Sequence, residues 1–412
     1  MAIEPIGLVV GLLELTTVAY LIYRTALGVA GLSTPHSNTI SAPETRFLIL
    51  ILAHNEARVI GATVQHLKTL AYPEGRALVV TVADDCSDDT SERAQDAGAI
   101  VLDKPGPASG KGAAIRWALE QPSVREDDWD TLVILDADSR PRPSFLAEVS
   151  AAIANGAVAV QTRTESIPSK GWVGRAYALN TRMRNRLWHQ ARERAGFSAI
   201  LTGAGVGLKR SLLSHYPFET RTVTEDLEYS ALLTADGVGV SYLYNAVIDI
   251  EQPATLGSSV VQRVRWARGQ LMTTLVACPA LLRRALLHRD LSALDTAMYL
   301  AMPSLVPLQV LLMGWIALSL LVDTSAVRDF PGLGVLPLEV LAAALGLSFA
   351  LQGAAMFVDR DSLRPVDCLS YVALMVTWMP LAIYAALTAG VRTWRPTPHG
   401  QTPVDASTVD RG

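Results

Sequence analysis

Several short stretches carry residue types and spacings that could do chemistry. In "LDADS", Asp136 and Asp138 stand two apart at the end of an apolar run. If that run is a strand, its period of two turns both carboxylates to one side. Paired hard oxygen donors suit Mg2+ or Mn2+, which leave coordination positions open for a diphosphate. The plainer reading is that the aspartates shape a turn and cap the next helix. "VTEDLEYS" sets Glu225 and Asp226 at the head of a predicted helix. Either could serve as general base toward a hydroxyl, or both could simply complement the helix dipole behind a Thr224 cap.

Two further acidic or polar turns follow apolar runs. "ADDCSDDT" presents Asp84 and Asp85, which could accept hydrogen bonds from a ribose or a base edge. A solvated turn has the same composition. "RFLILILAHNE" runs from a buried strand into His54, Asn55 and Glu56. "GPASGKG" lacks the spacing and the Ser/Thr of a nucleotide-binding P-loop, and no GxGxxG follows the first strand. It remains a flexible loop that could deliver Lys111 to a phosphate ahead of a helix. Last comes "QRVRW", with Gln262, Arg265 and Trp266 on or near one helical face. A guanidinium pairs a diphosphate bidentately and an indole stacks on a sugar ring, whereas an interfacial helix with snorkelling arginines has the same look.

The elements that must position these residues are strands alternating with helices from residue 45 onward. Helical periodicity fills 59–70, 91–97 and 113–119, between apolar runs that end in the polar turns. This alternation predicts an α/β domain with a doubly wound, mostly parallel sheet, whose ligands lie beyond the carboxyl ends of the strands. Around it the composition changes. Half the residues are hydrophobic and only 18% are charged, which places the chain nearer membrane proteins than soluble ones. The run 7–23 contains only Glu14 among charged residues and precedes Arg24, which reads as a retained anchor with the following domain in the cytoplasm. Further apolar runs occupy 298–322, 333–358 and 368–391. The last contains Pro380 and is expected to break or to lie at the interface, since the arginines around it favour the inside.

The expected organisation is a transmembrane anchor at 1–30 and a cytoplasmic catalytic domain at 45–253. Interfacial helices at 254–290, a membrane region at 298–391 and a cytoplasmic tail at 392–412 follow. A net charge of −4 without a basic block gives no reason to expect a nucleic-acid partner. Three scattered cysteines form neither a zinc ribbon nor a disulfide framework.

Taken in order, "HNE", "ADDCSD", "LDADS", "TED" and "QRVRW" resemble the membrane-embedded family 2 glycosyltransferases, the group of cellulose, hyaluronan, chitin and poly-N-acetylglucosamine synthases. The resemblance implies a GT-A nucleotide-sugar-binding domain, Rossmann-like, flanked by transmembrane and interfacial helices. It implies a UDP-sugar donor contacted by His54, Asn55, Glu56, Asp84, Asp85, Lys111 and Asp136. Asp136 and Asp138 would meet Mg2+ or Mn2+, and Asp226 beside Glu225 would be the catalytic base. Gln262, Arg265 and Trp266 would hold the diphosphate and the acceptor end. The tail "TWRPTPHG" is similar to a gating-loop motif, with Trp394 and Thr397 matching and His399 in place of a lysine. Cys86 stands where the family often has glycine. The expected activity is inverting, β-forming and processive, with membrane lipid around the chain and a homo-oligomer or accessory subunit completing any channel. A ceramide glucosyltransferase-like transfer to a membrane lipid is the alternative acceptor reading. A membrane protein that merely binds a nucleotide is a third.

Overall fold

The structure, a computed structural model, describes residues 5–35, 44–167, 171–301, 314, 338–358 and 364–389. The tail with Trp394, Thr397 and His399, and most of 298–322, lie outside the described residues. In chain order the elements begin with α1 (Pro5–Gly31), β1 (Phe47–Ala53), α2 (Ile60–Leu67), β2 (Ala77–Asp84), α3 (Thr90–Asp96), β3 (Ile100–Lys104), α4 (Lys111–Glu120) and α5 (Pro122–Arg125). They continue with β4 (Thr131–Asp136), β5 (Arg140–Pro141), α6 (Phe145–Ala154), β6 (Ala159–Ser166), α7 (Trp172–Arg184), a π-helical turn (Asn185–Gln190) and α8 (Ala191–Ala195). Then follow β7 (Val206–Lys209), α9 (Arg210–His215), α10 (Glu225–Ala235), β8 (Ser241–Ile250), α11 (Leu256–His288) and α12 (Leu291–Ala301). After them come α13 (Leu338–Val358), α14 (Pro365–Val376) and α15 (Trp378–Leu387).

The strands form one sheet of order β3-β2-β1-β4-β7-β6-β8-β5. β1, β2, β3 and β4 are mutually parallel, β6 and β8 run the same way, and β7 and β5 are reversed. The mostly parallel expectation holds, with β7 reversed inside the sheet and the short β5 reversed at its edge. Strand β1 shows why the sheet is buried on both faces. Phe47, Ile49 and Ile51 pack with Ile60, Val64 and Phe145 on one side. Leu48 and Leu50 pack with Ala114, Ile115 and Tyr229 on the other. A continuous apolar run with a period of two and helices on either face is what a central parallel strand requires.

Register aligns the carboxyl ends: Ala53 pairs with Ala83, and Leu52 with Asp136. The polar turns after β1, β2 and β4 therefore share one edge. Helix α4 begins two residues earlier than its periodicity suggests, which makes Lys111 its first residue, capped by Gly110 at φ 90°.

Outside the sheet, α1 docks on the π-helical turn. The Arg24 guanidinium lies 3.1 Å from the centroid of Trp188 and donates to Leu187 O at 3.1 Å. Arg24 is thus spent on protein contacts, besides any bearing on sidedness. The last apolar run is interrupted only at Thr377, whose backbone stays helical, and not at Pro380, which sits inside the first turn of α15. Proline is tolerated there, because the N–H it lacks would have had no partner. Among the described residues three stretches are long and apolar enough to cross a membrane: 11–31, Leu256–His288 and Pro365–Leu387.

Candidate active site

The turns after β1 and β2 are laced to each other. His54 Nδ1 donates to Asp84 O at 2.6 Å, Asn55 Oδ1 accepts from Ser87 N at 2.7 Å, and Glu56 N donates to Thr90 Oγ1 at 2.8 Å. Asn55 and Asp85 both take the left-handed backbone, at φ 57° and 58°, a conformation that Asn and Asp adopt more readily than most residues. Cys86 does not need that freedom. Its thiol donates to Ala53 O at 3.6 Å and accepts from Asn55 N at 3.4 Å, so cysteine serves as a spacer between the turns. Of the two aspartates, Asp84 is buried against Lys104 Nζ at 2.8 Å, while Asp85 is exposed and accepts from Ala108 N at 3.3 Å. Asp85 is the better placed to meet a ligand.

Beyond β4 lies an acidic cluster with one cation. Asp136 closes the strand, whereas Asp138 lies past its end in the turn, so the strand period does not set its direction. This corrects the alternation argument. Burial, then Asp136 and Glu251, push the Asp138 carboxyl up to about 7. Lys111 Nζ sits 2.5 Å from Asp136 Oδ1 and donates to Gly203 O at 3.0 Å. Burial pulls the Lys111 pKa down, but Asp136, Glu225 and Asp226 outweigh it and hold it above its ordinary value.

Glu225 and Asp226 open α10 and line a narrow pocket with Lys111 and Gly203, walled by Ile115, Ile134, Leu201, Val206 and Phe218. The pocket leaves about 10 Å³ for the centre of a water molecule, room for one. Burial, then Asp226, raise Glu225 to about 8, with Lys111 opposing. Asp226 is also raised by burial, against the Leu227 N–H that its Oδ1 accepts at 2.8 Å and against Lys111. Two raised, adjacent carboxyls are an environment in which either could take a proton from a hydroxyl. Thr224 does not cap α10 with its side chain. Its hydroxyl meets Thr273 Oγ1 of α11 at 3.1 Å instead, and Glu228 holds the incoming loop by accepting from Arg221 N and Thr222 N at 2.8 and 2.7 Å.

Helix α11, which carries Gln262, Arg265 and Trp266, packs on α10 through Gly269 and Thr273. Buried positions Ser259, Arg263, Gly269, Thr273, Ala277 and Leu281 recur every three to four residues and face the protein. Among the described residues Gln262 Oε1 is buried without a hydrogen-bond partner, and Arg265 makes no hydrogen bond or ion pair. Trp266 is committed more deeply, against Val173, Tyr177 and Leu374. Packing on α7 and α14 therefore takes part of the surface expected to stack on a sugar.

The donor set at Asp136 and Asp138 fits a hard divalent cation: two carboxylates at the strand edge, of which Asp138 is raised to about 7 by desolvation and by the neighbouring Asp136. No three His, Cys, Asp or Glu side chains among the described residues converge to hold a metal unaided. A diphosphate and water would have to complete the coordination. Sequence reasoning missed Gly203, Lys104 and Arg263. The run "TGAGVG" signalled the first, since Gly203 and Gly205 both carry positive φ at close backbone approaches.

The chain matches the family described as "Glycosyltransferase like family 2" over residues 43–269. Among solved structures, it resembles a mannosyltransferase from Pyrobaculum calidifontis in complex with GDP-Man and Mn2+. That likeness has 18% identity and a TM-score of 0.59, covering 92% of this chain and 99% of that one. Glucosyl-3-phosphoglycerate synthase from Mycobacterium tuberculosis, with Mn2+, UDP and glucosyl-3-phosphoglycerate, aligns at 19% identity and a TM-score of 0.39, over 57% and 84% of the two chains. TarS 1-349 from S. aureus aligns at 13% identity and a TM-score of 0.43, over 83% and 91%. No curated protein matches the sequence. With the family matched from before β1 to Gly269 on α11, the chain belongs to glycosyltransferase family 2, has the GT-A fold, and is a glycosyltransferase that uses nucleotide sugars.

Proposed function

We propose that the protein is an inverting, metal-dependent transferase that extends a polysaccharide at a membrane surface from a UDP-sugar. The observation that supports it most is the docking of α11 on α10. Thr273 and Thr224 share a hydrogen bond, so the helix with Gln262 and Arg265 is fixed against the helix with Glu225 and Asp226. Donor diphosphate and acceptor hydroxyl would then be held by one rigid pair of helices. Orientation of this kind supplies much of the rate in a two-substrate displacement.

In this reading Asp85 and the His54–Asn55–Glu56 turn seat the nucleoside. Asp136 and Asp138 hold Mg2+ or Mn2+, which when bound offsets charge on the leaving diphosphate. Arg265, which has no ion-pair partner among the described residues, pairs with the same diphosphate. Asp226 takes the proton of the acceptor hydroxyl as it attacks the anomeric carbon from the face opposite the nucleotide. A single displacement of this kind converts an α-linked donor to a β-linked product. The apolar helices packed around the domain support a catalytic domain lying at a membrane surface, and the side is taken to be the cytoplasmic one.

A second reading, one-step transfer to a membrane lipid, draws on a specific observation. Only three candidate spans occur among the described residues, few for a polymer channel built by one chain. The experiment that separates the two incubates purified protein in lipid with Mn2+ or Mg2+ and labelled donors. UDP-sugars and GDP-mannose are both included, because the Pyrobaculum mannosyltransferase was solved with GDP-Man. Label in high-molecular-weight product, absent in Asp226→Asn, supports the synthase. Label in a discrete extractable lipid replaces it with the second reading.

A further inference from the structure

Lys111 is out of place for helix stability. It is the first residue of α4, where the helix dipole disfavours a cation. Carboxylates hold it there instead: Asp136 Oδ1 at 2.5 Å, with Glu225 and Asp226 across the same pocket. Gly203 seats the ammonium from the other side. Its backbone, at φ 88°, accepts from Lys111 Nζ, and a Cβ at that position would lie 3.3 Å from Asp226 Oδ2 and 3.6 Å from Lys111 Nζ. One ammonium therefore stands between the strand-end aspartate and the acidic pair that opens α10. Behind it, Gly106 and Gly110 at φ 81° and 90° give the backbone freedom, while Ala114, Ile115 and Ala118 anchor the rest of α4.

A divalent cation approaching Asp136 meets that ammonium. The two positive charges would lie a few ångströms apart in a partly buried site, where repulsion is several times stronger than in water. Asp136 cannot satisfy both with the same oxygen. We infer that Lys111 is a resident counter-cation that occupies Asp136 until the metal and the donor diphosphate arrive, and then turns toward Glu225 and Asp226. Loading of the donor side is thereby exchanged, through one side chain, for charge on the base side. The inference rests on the reading of Asp136 as a metal ligand given under the proposed function.

The test measures binding of Mn2+ alone, without nucleotide, to the full chain in nanodiscs, following free Mn2+ by electron paramagnetic resonance. Wild type is compared with Lys111→Met, Lys111→Arg and Asp136→Asn, each checked by thermal melting. Removing the competing charge should tighten Mn2+ binding about tenfold in Lys111→Met, and Lys111→Arg should stay close to wild type. Lys111→Gln replaces the methionine variant if that one fails to fold. Unchanged or weaker binding in the neutral variants, with binding still lost in Asp136→Asn, overturns the counter-cation while leaving the metal site intact. Mn2+ binding indifferent to Asp136→Asn overturns the ligand assignment and the inference together.

Discussion

Gly269 of α11 lies directly against Thr224, the residue that opens α10: a Cβ at Gly269 would fall 2.4 Å from Thr224 Cγ2 and 2.7 Å from its Oγ1. Both contacts are to a buried side chain that has little room to move, since Thr224 Oγ1 also bonds Thr273. The close approach sets how the start of α10, with Glu225 and Asp226, seats on α11, the helix that carries Gln262 and Arg265.

Gly269→Ala should therefore push the two helices apart by part of an ångström without unfolding the sheet. A shift of that size between catalytic groups costs on the order of tenfold to a hundredfold in turnover. Single-turnover rates with saturating donor would show it, with donor affinity changed far less than the rate. A rate equal to wild type would mean that the α10–α11 spacing does not govern the chemistry.

Asp226→Asn and Glu225→Gln should differ in kind. The first removes the proposed base and should lower turnover about 10²- to 10⁴-fold while nucleotide binding survives. The second removes a buried neighbour and should leave substantial turnover but move its pH dependence. Equal losses in both would point to the pair acting as one unit; a larger loss in Glu225→Gln would transfer the base role to Glu225.

The raised Glu225 carboxyl also sets a pH dependence of stability. Glu225 is held near 8 in the fold against an ordinary 4.5. Below pH 4.5 folded and unfolded chains are both protonated there, so nothing is lost. Between 4.5 and about 8 the unfolded chain gives up its proton while the folded one keeps it. Stability thus falls as pH rises, by at most about 1.4 kcal/mol per pH unit from this group. In metal-free protein the advantage of Glu225→Gln over wild type, read from melting temperatures, should grow from pH 5 to 8 and then level off. A pH-independent difference would contradict the burial of an uncompensated carboxyl.

Much of the site was legible because parallel sheets put polar turns after apolar runs. "HNE", "ADD" and "LDADS" each close a buried strand, and register alone aligns them. The fold class followed from the same alternation. What could not be read was which side chains find each other across the sequence. Lys111 meets Asp136, Lys104 takes Asp84 out of solvent, and Arg24 lies over the Trp188 ring. Spacing within an element constrains faces, but partners between elements depend on tertiary packing. The side-chain cap offered as the alternative for Thr224 fails for that reason: the residue stands at the N-cap position, but its hydroxyl meets Thr273 of α11.

Arg263 gives the last test, because it ties the catalytic helix to the interrupted apolar run. It is fully buried on α11, in sequence between Gln262 and Arg265. Nη1 donates to Leu374 O at 3.2 Å and to Thr377 Oγ1 at 2.7 Å, and the guanidinium lies 5.4 Å from the Trp378 ring centroid. These contacts fall at the interruption between α14 and α15, where a helix end leaves carbonyls without intrahelical partners. Arginine is thus the donor that stabilises the end of α14 and fixes α11 beneath it. Arg263→Met should cost about 1.5–3 kcal/mol, the range for a charged hydrogen-bonding group, and Thr377→Val somewhat less. Because the two groups share a bond, the double variant should lose about 1 kcal/mol less than the sum of the singles. Denaturant or thermal unfolding in lipid or detergent would give the cycle. Strict additivity would mean that the catalytic helix and the apolar run are joined by general packing, and that this arginine is no latch between them.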